Sequence, residues 1–145
     1  MKPRWIVCED GDEYLSRFRR FLGQEFEFVP AGDLQDVLRA APGAAGLLLD
    51  LDFRRADPAR LVDETGAARA DLAAGERRRL AEVQGVLILR ALRGRGIVLP
   101  ALLCADLDDA AQARQLEEEL APLAVVPGSE GVARIGERLR QQGLP

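Results

Sequence analysis

Glu9, Asp10 and Asp50 are the side chains of this sequence best placed to do chemistry. Glu9 and Asp10 directly follow the apolar run Trp5 to Cys8, and Asp50 closes the run Leu47-Leu48-Leu49. Three carboxylates brought to one place suit a hard divalent cation such as Mg2+, which takes oxygen ligands and keeps several waters. The plainer alternative is an acidic loop at a strand end, with no ion implied. Composition closes off other chemistries. The chain has no histidine, so histidine-based catalysis and histidine metal ligands are excluded. The two cysteines, Cys8 and Cys104, make neither a disulfide framework nor a zinc set.

Whether those carboxylates meet depends on the elements around them. Short apolar runs alternate with amphipathic stretches along the whole chain. Strands are predicted at Trp5 to Cys8, Phe26 to Val29, Leu47 to Asp50, Ile97 to Cys104 and Ala124 to Val126. The first helix is predicted over Asp12 to Leu22, with Tyr14, Leu15, Phe18, Phe21 and Leu22 inward and Gly23 as C-cap. Asp33 should cap the second, and Pro42-Gly43 should break it. Glu76 to Leu92 reads as one long helix aligned on Leu80, Val83, Leu87 and Ala91. Asp109 opens another with Ala113, Leu116 and Leu120 inward, and Ser129 should cap the last, closed by Gly143. Five strands alternating with helices imply a doubly wound α/β fold. The flavodoxin-like parallel sheet, order 2-1-3-4-5, is the commonest arrangement for that count. Its ligand site lies at the C-terminal ends of strands one and three, which gathers Glu9, Asp10 and Asp50. Cys8 and Cys104 then end strands separated by strand three, too far apart for a disulfide.

The 145 residues read as a single domain, 1–145, with 48% apolar and 30% charged residues, an ordinary globular composition. A net charge of −4 gives no footprint for nucleic acid, and Arg77-Arg78-Arg79 reads as a solvated helix face. No apolar run approaches membrane-span length, and Met1-Lys2-Pro3-Arg4 leads straight into the first strand without a leader segment. A cytoplasmic protein is therefore expected.

The order and spacing of these motifs resemble the receiver domains of bacterial response regulators. Ile6-Val7-Cys8-Glu9-Asp10 looks like their strand-one signature, which ends in an acidic pair. Leu47-Leu48-Leu49-Asp50 looks like the strand carrying their phospho-accepting aspartate, and Leu87 to Leu139 is similar in rhythm to their later half, including Leu99-Pro100 before strand four. The resemblance implies Asp50 as phosphoacceptor, Glu9, Asp10 and Asp50 as Mg2+ ligands, and the Asp52 carbonyl as a further ligand. It also shows what is missing. The hydroxyl position before Ala105 is Cys104, the lysine position before Pro127 is Val126, and the strand-five aromatic aligns with Leu123. Lys2 is the only lysine in the chain.

The segment from about Arg54 to Leu80 is longer than the corresponding loop of such domains. It reads as an insertion at the site's edge: a lid, a partner surface, or a tolerated surface loop. Asp57-Pro58 marks a helix start within it, and Gly66 a stop. The segment is expected to be partly helical and to pack near the acidic pocket. Arg54 and Arg55 follow Asp50 closely, either as solvated loop arginines or as the missing positive charge. The expected function is a pseudo-receiver: a non-enzymatic signalling module acting through protein-protein interaction, with phosphorylation impaired and Mg2+ at most weakly held. Its partner is unspecified, with a homodimer as one form. The first alternative is a working receiver using Asp50 and Mg2+. The second, drawn from Glu9 with Asp50-Leu51-Asp52, is a metal-dependent nuclease of toprim type.

Overall fold

The computed structural model describes residues 1–69 and 71–142. Five strands, β1 (Arg4–Cys8), β2 (Glu27–Ala31), β3 (Gly46–Asp50), β4 (Ala101–Cys104) and β5 (Leu123–Val126), form one sheet in the order β2-β1-β3-β4-β5. Every pairing is parallel. The predicted doubly wound topology is therefore the observed one, and the winding reverses between β1 and β3 as the site assignment requires.

Residue alternation along the strands explains the layers. Trp5, Val7, Leu48, Leu102, Cys104 and Val126 enter one core with helices α1 (Glu13–Leu22) and α6 (Val132–Gln142). Ile6, Cys8, Leu47, Leu49, Ala101 and Leu103 enter the other. That second core is closed by α2 (Leu34–Ala40), α3 (Ala74–Glu82), α4 (Gln84–Gly94) and α5 (Ala110–Glu119). Cys8 and Cys104 thus lie on opposite faces, and both are buried free thiols. No helix among the described residues is long and apolar enough to cross a membrane.

Several expectations need correction. Strand four begins at Ala101, not Ile97, and β2 runs on through Pro30, which an edge strand tolerates. Phe21 and Val83, predicted inward, are exposed. The long helix from Glu76 is two helices, α3 and α4, broken at Val83, whose backbone leaves the helical region (φ −124°, ψ 21°). Ser129 lies in a turn and does not cap α6; the Gly131 carbonyl accepts the first helical bond, from the Ile135 N–H. Pro58–Arg60 is a 3-10 turn, not a helix closed by Gly66. Gly66 instead serves a separate turn with φ +86°, a backbone state that favours glycine. Gly143 lies outside the described residues.

The break between α3 and α4 has a purpose visible in the hydrogen bonds. Gln84, only 1% exposed, opens α4 and stands opposite Val62 in the segment that follows β3. Its Oε1 accepts from the Val62 N–H at 2.9 Å, and its Nε2 donates to the Val62 carbonyl at 3.0 Å. The carboxamide acts as a neighbouring strand would, satisfying a buried peptide unit from both sides. Gln84→Ala leaves both peptide groups buried without a partner. We expect it to lower unfolding free energy by about 2 kcal/mol in urea denaturation. A loss within experimental error would show that Val62 does not depend on this side chain.

Candidate functional site

The pairing of β1, β3, β4 and β5 fixes the site's floor. Asp50 is the register partner of Cys104, and Cys104 that of Val126. The three positions singled out in the sequence thus form one row across adjacent strands, about 4.8 Å apart per strand. Tyr14 and Phe18 of α1 lie with Asp50 and Cys104 around a small void below this row. Beside Asp50, the wall is therefore a thiol and an isopropyl group. Burial, and then the charge of Asp50, pushes the Cys104 thiol up to about 12, so it stays protonated at neutral pH.

The backbone beneath Asp50 is held from the opposite side. The Gly85 N–H donates to the Leu51 carbonyl at 3.0 Å, and a Cβ at Gly85 would fall on the Asp50 carbonyl oxygen. Glycine at the start of α4 lets that helix end press against the end of β3. The Asp50 carboxylate accepts from the Leu51 N–H at 2.9 Å. Burial first, then the charges of Asp10 and Glu9, push its pKa up to about 6.

The other carboxylates are engaged within the chain. Glu9 is 5% exposed and caps α1: its oxygens accept from the Tyr14 N–H at 3.2 Å and the Leu15 N–H at 2.9 Å. Asp10, whose side chain is 4% exposed, is clasped by Arg55. The Arg55 backbone N–H donates to Oδ2 at 2.9 Å and its guanidinium donates to Oδ1 at 3.1 Å. The same guanidinium reaches Glu13 Oε1 at 2.6 Å, and this contact holds the Glu13 carboxyl down at about 2. Asp52 is paired with Arg54 at 2.7 Å. Five residues beyond Arg55, Arg60 forks onto Asp33 at 2.7 Å and Asp36 at 3.0 Å, at the start of α2.

Glu9, Asp10 and Asp50 therefore lie at one sheet edge, but their oxygens do not converge as a ligand set. Among the described residues no group of three or more acidic or cysteine side chains is arranged to hold a metal ion. The fit to Mg2+ fails for a positive reason: Glu9 is committed to α1, and a guanidinium lies on Asp10. The nuclease arrangement fares no better, because Asp52 is held by Arg54 and Glu9 by the α1 backbone. Of the segment after Asp50, Arg55, Ala56, Asp57 and Arg60 line this edge, and its described helical parts are the 3-10 turn Pro58–Arg60 and the start of α3. The sequence reading missed Glu13, Gln84, Gly85 and Arg60, and it favoured a solvated loop arginine at Arg55, whereas the guanidinium is paired with Asp10 and Glu13. Only Arg55's closeness to Asp50 in the chain hinted at the site.

Comparison with known proteins supports the fold. No protein-family profile matches the chain, and no curated protein matches it by sequence. Solved structures do match, over nearly its whole length. The receiver domain of Francisella response regulator 1452 is 12% identical with a TM-score of 0.68, covering 98% of this chain and 97% of that one. The receiver domain of NtrX from Brucella abortus is 14% identical with a TM-score of 0.66, covering 96% and 97%. An adenylate cyclase from Rhodopirellula baltica is 12% identical with a TM-score of 0.63, covering 99% and 88%. At these identities the likeness establishes the receiver fold.

The crowding at Asp50 carries a stability prediction. Its pKa in the folded chain exceeds its ordinary value of 3.8. The folded state therefore holds the proton more tightly, and ionisation costs stability that is fully felt above pH 6 and disappears toward pH 4. Asp50→Asn should stabilise the protein by about 1 kcal/mol at pH 7, allowing for the partial exposure of the side chain. The gain should shrink through pH 6 and vanish near pH 4. Denaturation curves at several pH values check this; a variant less stable than the parent, or a gap that ignores pH, contradicts it.

Proposed function

We propose that this chain is a pseudo-receiver: a signalling module that works through protein-protein contacts and does not rely on an acyl phosphate at Asp50. The observation that carries the reading is the row Asp50, Cys104, Val126, in which the β4 and β5 positions on the acceptor's side of the sheet are apolar or nearly so. A phosphoryl group on Asp50 would bring about two negative charges beside Glu9 and Asp10. Val126 offers no charge and Cys104 only a weak donor. Arg55, the nearest cation on that side, is already shared between Asp10 and Glu13. Losing one preorganised contact to a developing phosphoryl costs on the order of 10² to 10³ in rate. Magnesium is at most a weak ligand here, and the module is not itself an enzyme.

A cytoplasmic location and a protein partner, either another chain or a second copy, complete the proposal. Within the segment 54–80 we favour Arg55 to Arg60 as the contact surface, because these residues line the acidic edge with Glu9 and Asp10, and loops at that edge of such folds carry function. The test is incubation with acetyl phosphate and Mg2+, read by intact mass. We expect no phosphoryl adduct under conditions that fully modify an ordinary receiver. A stoichiometric gain of one phosphoryl, absent in Asp50→Asn, would overturn the proposal in favour of a working receiver.

A further inference from the structure

We infer that the Arg55 guanidinium is the resident cation of the acidic pocket, seated on Asp10 so that a divalent ion binds there only after Arg55 is displaced. The inference builds on the pseudo-receiver reading and deepens it by assigning what neutralises the pocket.

Three features of the geometry carry it. First, Asp10 is a closed carboxylate. Its side chain is 4% exposed, and both oxygens are taken by one residue, Oδ2 by the Arg55 main chain and Oδ1 by its side chain. A cation that needs either oxygen must break the clasp. Second, the loop between β1 and α1 is shaped around the guanidinium. The group spans from Asp10 to Glu13 across Gly11, where a Cβ would come within 2.6 Å of Arg55 Nη2. Third, the arginine is held in register from outside the pocket. Arg60, on the same segment, is forked onto Asp33, the N-cap of α2, and Asp36 in its first turn, which limits how far Arg55 can withdraw.

The competition with a free ion can be ordered by magnitude. A tethered group acts at an effective concentration on the millimolar scale or above. A guanidinium suits carboxylates through directional N–H donors, whereas Mg2+ needs near-octahedral oxygen ligands and sheds water reluctantly. With Glu9 committed to the α1 backbone, an incoming ion would find Asp50 alone and meet the positive charge of Arg55. Arg55 also supplies one positive charge where a divalent ion supplies two. That leaves no surplus for a phosphoryl group, in keeping with the proposed function.

The test uses Mn2+ as the probe, followed by the loss of its free-ion electron paramagnetic resonance signal. The proteins are the full chain, Arg55→Ala, Arg55→Gln and the double variant Arg55→Ala/Asp10→Asn. We expect the parent to bind Mn2+ negligibly at millimolar concentration. Both single variants should bind one Mn2+ at least about tenfold more tightly than the parent, and the double variant should lose that gain. Circular dichroism and melting curves establish that each variant is folded, and Arg55→Gln keeps a polar side chain of similar reach should Arg55→Ala not fold. One Mn2+ bound by the parent as tightly as by the folded variants would overturn the inference, as would folded variants that gain nothing. Acetyl phosphate treatment of Arg55→Ala separates the two readings. A phosphoryl adduct at Asp50 there counts against the impaired acceptor row and leaves the Arg55 assignment standing, whereas a failed Mn2+ gain does the reverse.

Discussion

Carboxylates at the end of a parallel sheet repel one another, and the contact between Arg55 and Asp10 is this chain's internal answer to that repulsion. The winding reversal between β1 and β3 brings Glu9, Asp10 and Asp50 to one edge, where each charge raises the cost of the others. Glu9 is neutralised by the amino end of α1 and Asp10 by Arg55. Asp50 has one backbone N–H, which does not offset its burial and the charges of Asp10 and Glu9, and its pKa rises. The path of the chain after β3 follows from the same requirement. It turns back so that Arg55 reaches the β1–α1 loop and Arg60 the start of α2, before Val62 meets Gln84.

This arrangement links the missing chemistry to the chemistry that is present. A pocket that gathers a divalent ion and then a phosphoryl group needs donors and positive charge on the β4–β5 side. Here that side is Cys104 and Val126, built into the α1–α6 core. Positive charge sits instead on the β1 side, bound to its own carboxylates.

Much of this was legible in the sequence. The apolar runs ending at Cys8, Asp50 and Cys104 identify the three inner strands, and right-handed connection then leaves few sheet orders, of which the commonest is the observed one. The resemblance to receiver domains singled out Asp50, Cys104 and Val126, which the sheet register puts in one row. Helical periodicity failed where a tertiary contact outweighed it. It aligned Val83 with Leu80 and Leu87, but the carboxamide of Gln84 is pinned to Val62, 22 residues away, and Val83 is left at the break between helices. Pattern reading has no access to such a bond. Arg55 was read as a solvated side chain for a related reason: a loop arginine has no period, and its partners Asp10 and Glu13 belong to other parts of the chain.

The central claim, that Arg55 neutralises Asp10, is tested most directly by a double-mutant cycle of Arg55→Ala and Asp10→Asn at neutral pH and low salt, read as unfolding free energy. With Arg55 present, Asp10→Asn removes a clasped ion pair and should destabilise the protein. Without Arg55, the same substitution relieves a carboxylate crowded by Glu9 and Asp50 and should stabilise it. The account predicts this reversal of sign, a favourable coupling between the two positions. An equal effect of Asp10→Asn in both backgrounds would contradict it.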